Sequence, residues 1–334
     1  MKKGITTRSF SLLLALLLIA STVSAALAAP GDTTHVSRST GGIVANNGAS
    51  SPAISANGRY IAFQSATSNL VAGDTNGMGD IFLRDTSDNT TIRVSVATDG
   101  TQGEWHSTNP SISADGRYVA FDTGANNLVP NDTNGGTDIF VRDTQTNVTV
   151  IASLDNNGNV ANLASSWLPA ISADGRYVAF ASDGILVNGD SNFATDIYVR
   201  DLQSNTTHLI SVASDGTQAN STSDSPAISA DGRYVAFQSS ATNLVPGDTN
   251  GVNDIFLRDR QTNTTTRISV ATDGTQANLN TSGWQCPLAI SGDGRYVVFE
   301  SNASNLVDGD TNGNRDIFLR DTQTDSTCQQ PGGK

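Results

Sequence analysis

One hairpin recurs five times along the chain: PAISANGRYIAF (52–63), PSISADGRYVAF (110–121), PAISADGRYVAF (169–180), PAISADGRYVAF (226–237) and PLAISGDGRYVVF (287–299). The glycine of each GRY stands at 58, 116, 175, 232 and 294, a period of about 59 residues. A unit this short cannot bury an apolar face alone, so its copies must pack on one another. Each copy reads as four short strands. Strand a is P-A-I-S; a D-G or N-G dipeptide, a strong hairpin signal, leads into strand b, R-Y-V-A-F. An acidic loop follows, then strand c, D-I-F-L-R-D. Strand d, T-T-R-I-S-V, is seen at 90–96, 206–212 and 265–270, with a weaker version at 148–153. Apolar runs such as Ile255-Phe256-Leu257 suit strands covered on both faces, and no helical periodicity competes. The expectation is an all-β, five-bladed β-propeller with four antiparallel strands per blade, an architecture that leaves only short sheet edges. The blade cores fall at about 51–97, 109–155, 168–213, 225–271 and 286–321.

The ends of the chain bear on closure. Lys2, Lys3 and Arg8, an apolar run from Phe10 to Ala20 and the small residues Ala26-Leu27-Ala28 read as a signal peptide over residues 1–28. That leaves one propeller domain at 29–327 and a tail at 328–334. The fifth unit has no evident strand d, whereas TTHVSRSTGG (33–42) aligns with TTRISVATDG (265–274). Residues 33–39 are therefore expected to complete the last blade and close the ring. Cys286 and Cys328 are 42 positions apart. Export makes a disulfide the default for such a pair, yet a meander puts the two at opposite ends of a blade; both states stay open.

The S-x-D-G-R-Y-[VI]-A-F hairpin followed by D-I-[FY]-[VL]-x-D resembles the TolB-type family of propeller repeats over nearly all of the mature chain. The resemblance implies a periplasmic or secreted protein engaged in protein interaction, while related propellers also carry hydrolases and lyases. The unit here is longer than the family's, with the extra residues in the b–c loop, and no second domain is evident. Net charge is −13, and −16 once the three signal-peptide cations are removed. An acidic chain without basic clusters argues against nucleic acid as a partner, and no later segment is long and apolar enough for membrane insertion. The reading is an exported monomer (secreted, cell-surface or periplasmic) that binds a protein or glycan ligand without catalysis. The alternative is a carbohydrate-active enzyme, a glycoside hydrolase or lyase, working at the channel mouth.

In a meander the long b–c and d–a loops share one face and the tight a–b and c–d turns share the other, so binding belongs to the long-loop face. Trp105, Trp167 and Trp284 all lie in d–a loops, either as an aromatic platform around the channel mouth or as packing between blades. Glu104 and His106 flank Trp105 and are the candidates for blade-specific chemistry. His35 and His208 share the strand-d column in which Arg93 and Arg267 also sit, and read as surface residues.

The acidic loop offers candidate calcium half-sites. Asp74, Asn76 and Asp80 recur as Asp132, Asn134 and Asp138; Asp190, Asn192 and Asp196; Asp248, Asn250 and Asp254; and Asp310, Asn312 and Asp316. Calcium takes six to eight oxygens in loose geometry, which two Asp, one Asn, a carbonyl and waters can supply. Asp259 echoes the last position of an EF-hand loop, but five strand residues carry it about 16 Å away. The competing reading is conformational: Asp and Asn-Gly build turns with or without a metal.

Overall fold

The computed structural model describes residues 31–161, 164–281, 288–323 and 326–329. It contains five antiparallel sheets, each a meander in chain order. Blade one holds β1 (Ala49–Ile54), β2 (Tyr60–Ser65), β3 (Asp80–Asp85) and β4 (Thr90–Arg93). Blade two holds β5 (Ser107–Ile112), β6 (Tyr118–Thr123), β7 (Asp138–Asp143) and β8 (Val148–Ile151). Blade three holds β9 (Ser166–Ile171), β10 (Tyr177–Ser182), β11 (Asp196–Asp201) and β12 (Thr206–Leu209). Blade four holds β13 (Ser223–Ile228), β14 (Tyr234–Ser239), β15 (Asp254–Asp259) and β16 (Thr264–Arg267). Blade five holds β17 (Leu288–Ile290), β18 (Tyr296–Ser301), β19 (Asp316–Asp321) and β20 (Ser326–Gln329). No helix occurs among the described residues, and so none that could cross a membrane.

Apolar residues of each blade meet those of the next. Between blades two and three, Ala120, Ile139 and Val141 pack against Val178, Phe180, Leu186 and Tyr198. Within every blade the aromatic of the second strand stacks on that of the third, as Phe63 does on Phe82 at 5.8 Å between ring centroids. The tight-turn face adds a second seam. Ala56 N–H donates to Ala114 O, Ala114 to Ala173, Ala173 to Ala230 and Ala230 to Gly292, at 2.9–3.0 Å. The GRY tyrosine of one blade lies on the GRY glycine of the next. A Cβ on Gly175 would stand 2.1 Å from the Tyr118 ring, and Gly116, Gly232 and Gly294 are covered in the same way by Tyr60, Tyr177 and Tyr234. The adjoining arginine clamps the end of the third strand, as Arg117 does Asp143 with bonds of 3.0 and 2.6 Å. That clamp holds Asp143 well below the usual carboxylate range.

The expectation that residues 33–39 complete the last blade is not met. The fourth strand of blade five is β20, which runs alongside β19 from the chain's own tail. Residues 33–45 lie instead against blade one. The Arg38–Val44 bridge there repeats the Val96–Gln102 bridge that follows strand d elsewhere. In every copy that post-strand segment hydrogen-bonds to the following blade: Thr91 Oγ1 donates to Arg38 O just as Thr149 Oγ1 donates to Val96 O. The alignment of 33–42 with strand d is real, but its described contacts all point forward, to blade one. Correspondingly, Ile317 of β19 is 46% exposed, whereas its counterparts Ile81, Ile139, Ile197 and Ile255 are fully buried. Cys286 and the side chain of Cys328 lie outside the described residues.

The third strand of blades one to four opens on a buried aspartate, and that of blade five on the half-buried Asp316. Ser95, Ser153, Ser211 and Ser269 donate their hydroxyls to Asp80, Asp138, Asp196 and Asp254. The same serine oxygens accept the next backbone amide of the strand, as Ser95 accepts that of Ile81 at 3.1 Å. Burial pushes Asp196 up to about 6, with Asp190 adding and the Ser211 and Gln218 hydrogen bonds opposing.

Two outcomes are expected. Gly175→Ala loses roughly 3–5 kcal/mol in urea unfolding, from a left-handed φ and an overlap with Tyr118, whereas Gly58→Ala loses only about 1–2, because its φ is positive but nothing lies within 4 Å. Equal losses would show that the tyrosine–glycine contact carries no weight. The fold binds the Asp196 proton more tightly than the unfolded chain does. Stability is therefore lost as pH rises from about 4 to about 6, by up to about 3 kcal/mol. Asp196→Asn should flatten that part of a stability–pH curve, and an unchanged slope would assign it elsewhere.

Candidate functional site

The b–c and d–a loops meet on one face. In blade one the Asn76 amide donates to Gly103 O at 2.8 Å, and Thr75 N–H donates to Gln102 Oε1 at 3.3 Å. The loop asparagine is a turn device: its Oδ1 accepts a backbone N–H two residues on, from Met78, Gly136, Ala194, Val252 and Asn314 in the five copies. Its Nδ2 is thereby directed at the aspartate in three blades, as Asn76 to Asp80 at 3.2 Å, Asn250 to Asp254 at 2.9 Å and Asn312 to Asp316 at 2.9 Å. In those three blades a nitrogen faces the aspartate; in blades two and three Nδ2 donates to Ala161 O and Ala219 O, at 3.1 and 2.9 Å. Among the described residues no group of three or more His, Cys, Asp or Glu side chains is placed to hold a metal.

The two aspartates of each loop are answered differently from blade to blade. In blade one a single arginine nitrogen, Arg93 Nη1, lies 3.2 Å from Asp74 and 3.4 Å from Asp80. In blade four Arg267 Nη1 lies 3.1 Å from Asp248 and 3.5 Å from Asp254. Blade three uses neutral donors: Tyr198 Oη donates to Asp190, and Gln218 Nε2 reaches Asp190 at 2.7 Å and Asp196 at 3.0 Å. In blade five Asp310 and Asp316 are half-buried and within reach of water. Blade two has none of these partners. Its strand residue opposite Phe140 is Ile151, where the others place Arg93, Leu209 and Arg267. Its loop residue is Val160, where the others place Gln102, Gln218 and Gln276. Asp132 and Asp138 are 4% and 2% exposed, and both oxygens of Asp132 and Oδ2 of Asp138 accept no hydrogen bond. Burial first, then the Asp138 charge, pushes Asp132 up to about 6; the nearby Asn134 amide opposes this without forming a bond.

Above this loop lies a cleft of about 580 Å3 lined by Glu104, Trp105, Gly124, Asn126, Gly135, Gly136, Thr137 and Ser165. Trp105 is 55% exposed. It lies over Gly124, where a Cβ would come within 3.1 Å of its ring, and a Cβ on Gly136 would strike Ala164 O at 2.0 Å. Glu104 is held from its backbone N–H by Asn127 Oδ1 at 3.1 Å, and its charge bears on Asp132. His106 belongs to the neighbouring loop, where its Nδ1 accepts Gly79 N–H at 2.7 Å. The two residues flanking Trp105 are thus engaged with different blades. Trp167 is half-buried on β9 and packs against the core shared by blades three and four, and Trp284 lies outside the described residues.

Sequence reasoning missed Ile151, Val160, Gly124 and Gly136, though each breaks its repeat column. Gly124 stands where other copies have Ala66, Asp183 and Ser240, and Gly136 where they have Met78, Ala194 and Val252. The column reading of strand d was also off by one: His208 pairs with Val199 and Ile92 with Leu83, whereas Arg93 pairs with Phe82. A one-residue slip moves a side chain to the other sheet face, so His208 is exposed while the Arg93 side chain is only 9% exposed.

No protein-family model and no curated protein matches the sequence. Several solved structures do. A putative TolB from Agrobacterium tumefaciens aligns at a TM-score of 0.50 and 17% identity, over 85% of this chain and 80% of that one. An oligogalacturonate lyase in complex with manganese aligns at 0.50 and 14%, over 83% of this chain and 63% of that one. A puromycin-hydrolyzing peptidase from Mycobacterium tuberculosis aligns at 0.51 and 14%, over 85% of this chain and 38% of that one. The chain therefore spans less than two thirds of the lyase and of the peptidase. At such identities the likeness is one of architecture, and it is clear: the chain has the fold of TolB-like β-propellers.

Proposed function

We propose that the chain is an exported, non-enzymatic β-propeller that binds a glycan at the blade-two cleft on its long-loop face. The observation that carries this reading is Trp105, an indole more than half exposed beside a cleft whose other walls offer Asn126, Thr137 and Ser165. An aromatic plane takes the C–H face of a sugar ring, and amide and hydroxyl groups take its hydroxyls. Glu104 at the rim and a net charge of −13 favour a neutral glycan over an acidic one. Binding is preferred to catalysis because His106 is tied to the blade-one loop while Glu104 bears on blade two. A paired acid and base would have to share one substrate. TolB propellers and propeller enzymes share the architecture, so the choice rests on this site and not on the fold.

Indole fluorescence titrated with a panel of neutral oligosaccharides tests the reading. At least one should shift the emission, and Trp105→Ala should weaken its binding at least tenfold, about 1.4 kcal/mol. A panel without effect, on a protein whose Trp105 remains open to quencher, would overturn it.

A further inference from the structure

We propose that blade two, alone among the five, binds a calcium-class divalent cation between Asp132 and Asp138. The repeat supplies its own controls. The same pair of aspartates is bridged by a guanidinium nitrogen in blades one and four, at 3.1–3.5 Å from each carboxylate, so that position is where positive charge sits in this loop. In blade three a phenol and a carboxamide satisfy the pair without any cation. In blade five the Asn312 amide reaches both oxygens of Asp316, at 3.1 and 2.9 Å, and the pair is half-exposed. Blade two keeps both carboxylates nearly buried, at 4% and 2% exposed, keeps the Ser153 bond to Asp138, and has Ile151 and Val160 where other blades place the arginine and glutamine.

Three carboxylate oxygens are left there without a donor: both of Asp132 and Oδ2 of Asp138. A buried carboxylate without a partner is costly, and a bound cation removes that cost. The donors are all oxygen, with no His or Cys beside them among the described residues, which selects a hard ion over zinc or copper. Two carboxylates completed by carbonyls and waters match the loose, many-oxygen shell of calcium, in the weak range typical of extracellular modules. The inference is independent of the glycan reading, because it rests on Asp132 and Asp138 and not on Trp105.

Calorimetry of the chelator-treated full chain with calcium chloride should give one ion per chain, and saturating calcium should raise Tm by several degrees. Asp132→Asn should abolish both responses. Ile151→Arg, which installs the arginine of blades one and four, should abolish binding while raising the calcium-free Tm above that of the parent. No binding by the parent chain, five ions per chain, or an Asp132→Asn variant that binds as the parent does would each overturn the proposal. Asp132→Asn is nearly isosteric, so it carries the test even if Ile151→Arg fails to fold.

Discussion

Four of the five blades begin their third strand on a carboxylate that water does not reach. Asp80, Asp138, Asp196 and Asp254 are at most 2% exposed, and an ionised group so placed must be answered by hydrogen bonds or countercharge. A serine from the end of the fourth strand answers one oxygen in each of these blades and also takes the amide of the next strand residue, so the aspartate fixes how the outer strand departs from the sheet. What answers the other oxygen differs: arginine with the loop asparagine in blades one and four, Gln218 in blade three, and no hydrogen bond in blade two. The architecture imposes the same electrostatic demand on blades one to four, and the differences among the answers are what distinguish one blade from another.

The two faces carry that distinction unequally. On the tight-turn side, the alanine ladder, the tyrosine on the next glycine and the arginine–aspartate clamp recur almost without change. They leave little room for variation. On the long-loop side the same hydrogen-bonded asparagine turn presents different neighbours in each copy. Trp105 is exposed because two glycines, Gly124 and Gly136, remove the side chains that would fill the space beside it. Rigid turns below and permissive loops above place any recognition on one side of the molecule.

The fold was legible because each level agreed: D-G turns, alternating and doubly buried strands, and a fixed period all specify four-stranded blades. The closure was not legible, since residues 33–42 resemble a strand d in sequence while their hydrogen bonds run forward to Arg84 and Thr91. The acidic loops were found at the right positions but read as five equal sites. Their aspartates are the same in every copy; the arginines and Gln218 that answer them come from strand d and the d–a loop, about 13 to 28 residues away, and Tyr198 from strand c. Whether Asp132 has a partner depends on Ile151 and Val160, two ordinary apolar residues that signal nothing until the register places them opposite a buried charge.

Because the tyrosines of blades one to four each rest on the glycine of the following unit, no seam belongs to one blade. Adjacent units are coupled pairwise, in a row from blade one to blade five, and free energy in such arrays is shared between nearest neighbours. Among the described residues blades one and five each have one such neighbour, and Ile317 and Val298 of blade five are still partly open to water. Damage there should fray one end, while the same damage at blade three would divide the molecule into two short stacks that melt separately. Where a lesion falls along the row therefore governs how many transitions the protein shows, independently of how much energy the lesion removes.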